Sequence, residues 1–157
     1  MTYYAGIGSR NIPEVVYKFF MGLARYYAQQ GFVLRSGGAD GSDLAFEQGC
    51  DLVNGPKEIF IPWRGFNKST SELYNIPDEA FDIASTIHPN WNNLKEPVKR
   101  LHARNCSQIL GQNLKTPVKF VACYTINGEL KGGTAQALRL AQKYNIPIFN
   151  YGLIFNE

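Results

Sequence analysis

The stretch that most constrains this chain runs from Ser36 to Asp43, where three glycines fall within six positions. It follows an apolar run at 31–35 that is typical of a β-strand, and it leads into a helical run at 44–51. Glycine permits backbone conformations that a Cβ would forbid, and it lets a ligand approach the main chain closely. A strand, a glycine turn and a helix N-terminus together aim free N–H groups at one point, which predicts a site for an anion such as a phosphate. The alternative is a tight turn whose serine and aspartate side chains merely cap the helix.

Short apolar runs alternate with amphipathic runs along the sequence. Strands are predicted at 2–8, 32–35, 58–62, 118–124 and 146–149, and helices at 13–30, 40–52, 78–87, 95–111 and 135–144. Strands that are apolar without strict alternation are typical of a parallel sheet buried on both faces. Because the crossovers are right-handed, we expect an α/β fold in a single domain over residues 1–157. The expected fold is a Rossmann-like, doubly wound parallel sheet of about five strands with helices on both faces.

The composition limits the classes of partner. The 157 residues are 45% hydrophobic and 18% charged, and their formal net charge is +3. This balance is typical of a folded globular protein, and so weak a charge argues against a nucleic-acid partner. Three widely spaced cysteines without a C-x-x-C pair or a signal peptide predict reduced thiols in a cytoplasmic protein. The two histidines have no metal-ligand spacing and no apolar run is of membrane-spanning length, so neither a metal site nor a membrane partner is expected.

Three loops of glycine and small polar residues follow predicted strands, at 6–10, 36–43 and 132–134. The carboxyl ends of parallel strands share one edge of the sheet, so we expect the three loops to meet in one crevice. Thr134 opens a helix and makes a second anion cradle, while Arg10 or Arg104 is expected to fork onto a phosphate. For Arg104 and Asn105 the alternative is a surface arginine and a core asparagine with internal hydrogen bonds.

Rings and carboxylates supply further candidate contacts. Four large rings lie in stretches predicted mainly as loop: Trp63, Phe66, Tyr74 and Trp91. A base or sugar is expected to lie against them, although core or interface packing is the alternative. Asp40, Asp43 and Glu47 fall at i, i+3 and i+7 of a predicted helix, which puts three carboxylates along one side.

Four motifs occur in the order seen in the SLOG superfamily: Gly6–Arg10, Ser36–Asp43, Leu101–Asn105 and Gly132–Thr134. Over nearly its whole length the chain resembles this group of Rossmann-like nucleotide-binding domains, which includes the Lonely Guy phosphoribohydrolases and the DNA-processing protein A family. The resemblance implies a nucleotide ligand, and it implies a homodimer or higher homo-oligomer because the family often dimerises. It also implies a crevice lined by Ser9, Gly37, Gly38, Asp43, Arg104, Gly133 and Thr134.

The loops and the resemblance together predict one binding set, and no separate cofactor is expected beside the nucleotide. The set is Gly8, Ser9, Arg10, Ser36, Gly37, Gly38, Ala39, Asp40, Asp43, Trp63, Arg104, Asn105, Gly132, Gly133 and Thr134.

The chain departs from the Lonely Guy pattern at its catalytic position. Those enzymes carry Pro-Gly-Gly-x-Gly-Thr-x-x-Glu, whose glutamate works with an arginine to cleave an N-glycosidic bond. Here Gly133 and Thr134 are followed by Ala-Gln-Ala, with no carboxylate at the expected place. Such cleavage usually needs a carboxylate beside the oxocarbenium-like centre. Arg104 is retained and Asp43 is the best-placed substitute for the glutamate, so these two are the candidate catalytic residues.

Three functions stay open at this point. The first choice is a domain that binds a nucleotide or nucleotide-derived small molecule for sensing or sequestration. The second is an N-glycosidase or phosphoribohydrolase that acts on a nucleoside 5′-monophosphate, with Asp43 or Glu47 as the working carboxylate. The third is a single-stranded DNA binder like DNA-processing protein A, which would need a basic groove with stacking rings.

Overall fold

The computed structural model describes residues 1–155. Within them, one sheet of five parallel strands has the order β3-β2-β1-β4-β5. The strands are β1 (Thr2–Gly8), β2 (Phe32–Ser36), β3 (Lys57–Ile59), β4 (Val121–Tyr124) and β5 (Ile148–Asn150). The helices are α1 (Glu14–Gln29), α2 (Ser42–Asp51), α3 (Asp78–Ile87), α4 (Glu96–Leu110) and α5 (Thr134–Lys143).

Helices cover both faces of the sheet, and each face has its own apolar core. Tyr4 of β1 packs with Phe20 of α1 and Phe46 of α2 on one face. Its neighbour Ala5 faces the other layer, where α3, α4 and α5 supply residues such as Ile109 and Leu138. Successive strand residues point to opposite faces, so a strand covered on both sides is apolar throughout. The predicted doubly wound α/β fold is confirmed.

The strand order changes direction at β1: β2 and β3 are added on one side of it, and β4 and β5 on the other. Strand β1 pairs with β2 on one side, in the register Ala5 to Arg35, and with β4 on the other, in the register Ala5 to Val121. The connection from β3 to β4 carries α3 and α4 across the second face. In open parallel sheets, ligands bind beyond the strand ends at such a switch point. The fold thus directs attention to the loops that follow β1 and β4.

The carboxylate row predicted on the second helix is wrong. The helix begins at Ser42 and not at residue 40, because Gly41 has φ 76° and ψ −119°. Asp40 therefore precedes it, and its Oδ1 accepts a hydrogen bond from Asn67 at 2.9 Å. The Glu47 carboxylate lies 2.9 Å from Nζ of Lys57, whereas Asp43 is buried. The three carboxylates consequently form no shared site.

Candidate functional site

A cleft of about 530 Å³ opens at the carboxyl ends of β1 and β4. The loop after β1, helix α4 and the loop before α5 form most of its wall. Its volume falls within the range of sites for small molecules. Ten residues of the predicted binding set line it: Gly8, Ser9, Arg10, Ala39, Asp43, Arg104, Asn105, Gly132, Gly133 and Thr134.

Five residues of the predicted set do not line this cleft: Ser36, Gly37, Gly38, Asp40 and Trp63. The Ser36 hydroxyl donates to the Gly6 carbonyl at 2.6 Å, which ties β2 to β1. Gly38 has φ 71°, and a Cβ there would lie 3.2 Å from Cγ2 of Ile61, so this glycine serves the turn and its packing. Trp63 packs edge-on against a neighbouring ring, Phe66, with centroids 5.5 Å apart.

The other rings expected to hold a base also lie elsewhere. Phe66 and Tyr74 pack against the core on the α1–α2 side, and Trp91 packs against the core on the opposite side. The apolar part of the cleft is aliphatic, with Ile7, Val98, Leu101 and Ile126 in its lining. These rings therefore pack within the protein. The apolar surface that the cleft offers to a ligand is aliphatic.

The glycine turn at Ser36–Asp43 is closed by the chain's own polar groups. The Ser42 hydroxyl and the Ser42 N–H both donate to the Ser9 carbonyl, at 2.9 and 3.1 Å. The Ala39 N–H donates to Oδ2 of Asp43 at 3.3 Å. A Cβ at Gly41 would collide with the Arg10 carbonyl. This turn therefore uses its glycines to bring two loops together, and an internal carboxylate lies where the sequence predicts an anion.

Arg104 ties α4 to the ends of β2 and β3. It is 5% exposed, its Nε donates to Oδ1 of Asn105 at 3.0 Å, and its Nη1 donates to the carbonyls of Gly37 and Phe60 at 2.6 and 2.9 Å. Burial lowers the pKa of Arg104 to about 10, while nearby Asp43 acts in the opposite direction. None of these bonds uses Nη2. The surface-arginine alternative is wrong, and Arg104 is a buried cation at the cleft wall.

Asp43 is, among residues 1–155, the one carboxylate that lines the cleft. Burial raises the pKa of Asp43 to about 6, and the Arg104 cation and the N–H groups of Ala39 and Gly8 oppose that increase. The net result is a carboxyl group that titrates close to neutrality. Carboxyl groups tuned in this way are frequent in functional clefts.

Two histidines that the sequence reasoning did not assign to the site also line the cleft. The rings of His88 and His102 have centroids 4.7 Å apart. Within residues 1–155, Nδ1 of His102 is buried without a hydrogen-bond partner. Burial, together with the charges of His88 and Arg139, lowers the pKa of His102 to about 4. The sequence did contain a hint of this position, because His102 lies three residues before Asn105 and therefore on the same face of α4.

The N-terminal end of α5 offers bare backbone and positive charge to the cleft. A Cβ at Gly132 or Gly133 would meet no atom within 4 Å. The Asn105 side chain donates to the Gly133 carbonyl at 3.1 Å, which holds this loop against α4. Arg10 and Lys131 line the same cleft. Helix N-termini attract anions, so this end of the cleft has the geometry and charge of an anion site.

The titrations of Asp43 and His102 oppose each other between pH 4 and 6. The folded pKa of Asp43 exceeds its ordinary 3.8, so the folded state binds more protons and this contribution to stability falls as pH rises. The folded pKa of His102 lies below its ordinary 6.5, so its contribution rises over the same interval. Relative to wild type, we expect the unfolding free energy of Asp43→Asn to increase from pH 4 to 6 and that of His102→Gln to decrease. Urea unfolding at three pH values measures this, and curves parallel to wild type would contradict it.

Residues 1–155 contain no group of three or more His, Cys, Asp or Glu side chains placed to hold a metal ion. None of the helices in that range is long and apolar enough to span a membrane.

Solved structures with the same architecture were found. DNA processing protein A from Helicobacter pylori, described for its single-stranded DNA binding mode, matches with a TM-score of 0.60 and 21% identity over 95% of this chain. The chain has a Rossmann-like α/β fold. A structural genomics target, TM1055, matches with a TM-score of 0.58 and 18% identity, over 94% of this chain and 72% of its own.

The chain spans 64% of the length of the DNA processing protein A structure. No family model and no curated protein matches its sequence. A shared fold does not by itself carry a function. What this protein binds must therefore be argued from the cleft.

Proposed function

We propose that this protein binds a nucleotide or a nucleotide-derived small molecule, with a phosphate at the N-terminus of α5. The observation that carries the proposal is the open space above Gly132 and Gly133, at a helix N-terminus that shares its cleft with Arg10 and Lys131. The free N–H groups there and the positive end of the helix dipole favour a phosphate.

The glycine turn before α2 is the weaker of the two cradles. Its Ala39 N–H is taken by Asp43 and its Ser42 N–H by Ser9. A phosphate there would also approach a carboxylate whose pKa is about 6, which is mostly ionised at pH 7. Because like charges repel, the α5 end is the better position for a phosphate.

Gly133→Val tests the phosphate position. The native φ of −63° and ψ of −32° are helical, so a side chain is tolerated there, yet it would project into the open space of the cradle. We expect nucleoside monophosphate affinity to fall about 10- to 100-fold, the size of one or two lost charge-assisted contacts. The unfolding midpoint should stay close to wild type. Titration calorimetry and thermal unfolding measure the two quantities.

Gly22→Val is the matched control for that variant. Gly22 lies within α1, and a Cβ there also meets nothing within 4 Å. This variant is expected to bind as wild type does. If Gly133→Val also keeps wild-type affinity, the phosphate does not lie at α5.

Single-stranded DNA is the second candidate ligand, favoured by the fold likeness to DNA processing protein A. It runs against the weak net charge and against the absence, among the residues that line the cleft, of an aromatic stacking side chain other than histidine. The same calorimetry with an oligothymidine at two salt concentrations discriminates the two ligands. Binding of DNA weakens steeply with salt because counterions are released. Tight, salt-sensitive binding of the oligomer without binding of monophosphates would replace the first proposal.

A further inference from the structure

Gln108 is a largely buried residue whose side chain makes no hydrogen bond among residues 1–155. It lies on α4, one turn after Arg104, and it is 3% exposed. Its carboxamide lines the cleft, and within residues 1–155 no hydrogen bond is made by it. An amide of this kind has two N–H donors and a carbonyl acceptor, and here they open onto the cleft. Their unused bonding capacity is available to a ligand that binds there.

The surroundings of Gln108 are polar and tightly arranged at the end of β2. Its Nε2 lies so close to Gly37 that a Cβ on that glycine would collide with it. The same hypothetical Cβ would be 2.7 Å from Oδ2 of Asp43 and 2.9 Å from Nη1 of Arg104. Three side chains of different hydrogen-bonding character thus converge on one glycine. Arg104 Nη1 and Asp43 Oδ2 are already bonded within the protein, so the Gln108 carboxamide is the member of this group that a ligand can use.

The Gln108 side chain and the phosphate cradle at Gly132 and Gly133 line the same cleft. Along α4, Gln108 is three residues beyond Asn105, which bonds the Gly133 carbonyl. A nucleoside monophosphate that reached from the cradle to Gln108 would have its sugar beside the loop after β1, which lines the same cleft.

We propose that Gln108 recognises the base of the bound nucleotide by pairing its carboxamide with a neighbouring donor and acceptor on the base edge. This proposal rests on the proposed nucleotide function, and it adds that the base points toward Gln108. Glutamine forms such paired bonds with base edges, as in its contact to N6 and N7 of adenine. Gln108 is then a specificity-determining residue, and Asp43 and Arg104 flank the same edge.

Gln108→Met is the variant that tests this role, because it keeps the length and removes the hydrogen bonds. The probes are AMP, GMP, CMP, UMP and ribose 5-phosphate, titrated by calorimetry. Wild type is expected to bind at least one monophosphate about 10- to 100-fold more tightly than ribose 5-phosphate. In the variant this difference should disappear while the affinity for ribose 5-phosphate stays within about twofold. Gln142→Met, at an exposed position of α5, is the matched control and should change neither affinity.

Stability supplies a second measurement that separates recognition from packing. Removing an amide that the fold does not bond should leave the Met variant about as stable as wild type. A less stable variant, or equal losses for monophosphates and ribose 5-phosphate, would assign Gln108 to the structure of the site and overturn the proposal. Unchanged monophosphate affinity would overturn it too, while the phosphate site stands. If wild type binds neither monophosphates nor ribose 5-phosphate, the proposed function fails and base recognition fails with it.

Discussion

Arg104→Ala is expected to lower the free energy of unfolding by about 3–5 kcal/mol, the usual result of removing one partner from a buried charged network. The guanidinium donates to the Gly37 and Phe60 carbonyls and to the Asn105 side chain, and it is 5% exposed. Its loss leaves two buried carbonyls without this donor, and it removes the strongest of the groups that favour the charged form of Asp43. Urea denaturation at pH 7 measures the change.

Two comparisons make that expectation specific. Arg25→Ala removes the same charge from an exposed position of α1 and should change stability by no more than about 0.5 kcal/mol. In Arg104→Ala the pKa of Asp43 should rise further, because the cation that opposes its increase is gone. The penalty of Arg104→Ala should therefore be smaller at pH 5 than at pH 8. A loss below 1 kcal/mol at pH 7 would contradict the buried role of Arg104.

The fold could be predicted from the sequence because the alternation of apolar strands and amphipathic helices determines it almost alone. The bounds of α3 agree with the prediction, and those of α1 differ by one residue at each end. The largest deviations are of three residues: β3 ends at Ile59 and not at residue 62, and β4 begins at Val121 and not at residue 118. Before that point the backbone still bonds β1, through Lys119 N–H to the Tyr3 carbonyl, but does not form a regular strand.

The site was harder to predict, because a glycine motif does not say what fills the space that it opens. Gly133 leaves space for a ligand, whereas Gly41 leaves space for the Arg10 carbonyl and Gly37 for Gln108. Both uses produce the same sequence signal. Gln108 gave only the signal of lying three residues after Asn105 on α4, and a glutamine in an amphipathic helix is usually exposed. Its importance appears only when α4 is packed against the end of β2.

Incubation with AMP, CMP, GMP or UMP is expected to release no free base at an ordinary enzymatic rate of about one per second. The α5 turn that carries the catalytic glutamate in Lonely Guy enzymes here supplies Gln136 and Ala137, both buried. The Gln136 amide donates to the Ala84 carbonyl at 3.0 Å, on the α3 side and outside the cleft lining. Loss of a positioned acid or base typically costs about 10²- to 10⁴-fold in rate.

The remaining carboxylates do not replace that glutamate. Glu47 pairs with Lys57 on another part of the surface, and Glu129 pairs with Lys131 at 2.8 Å without lining the cleft. Asp43 does line it, yet it lies on α2 and not on the α5 turn, and its Oδ2 already accepts a hydrogen bond from the Ala39 N–H. Chromatography of base and ribose 5-phosphate measures turnover directly. Turnover near one per second would contradict a purely binding role, and its loss in Asp43→Asn with affinity retained would then identify Asp43 as the catalytic carboxylate.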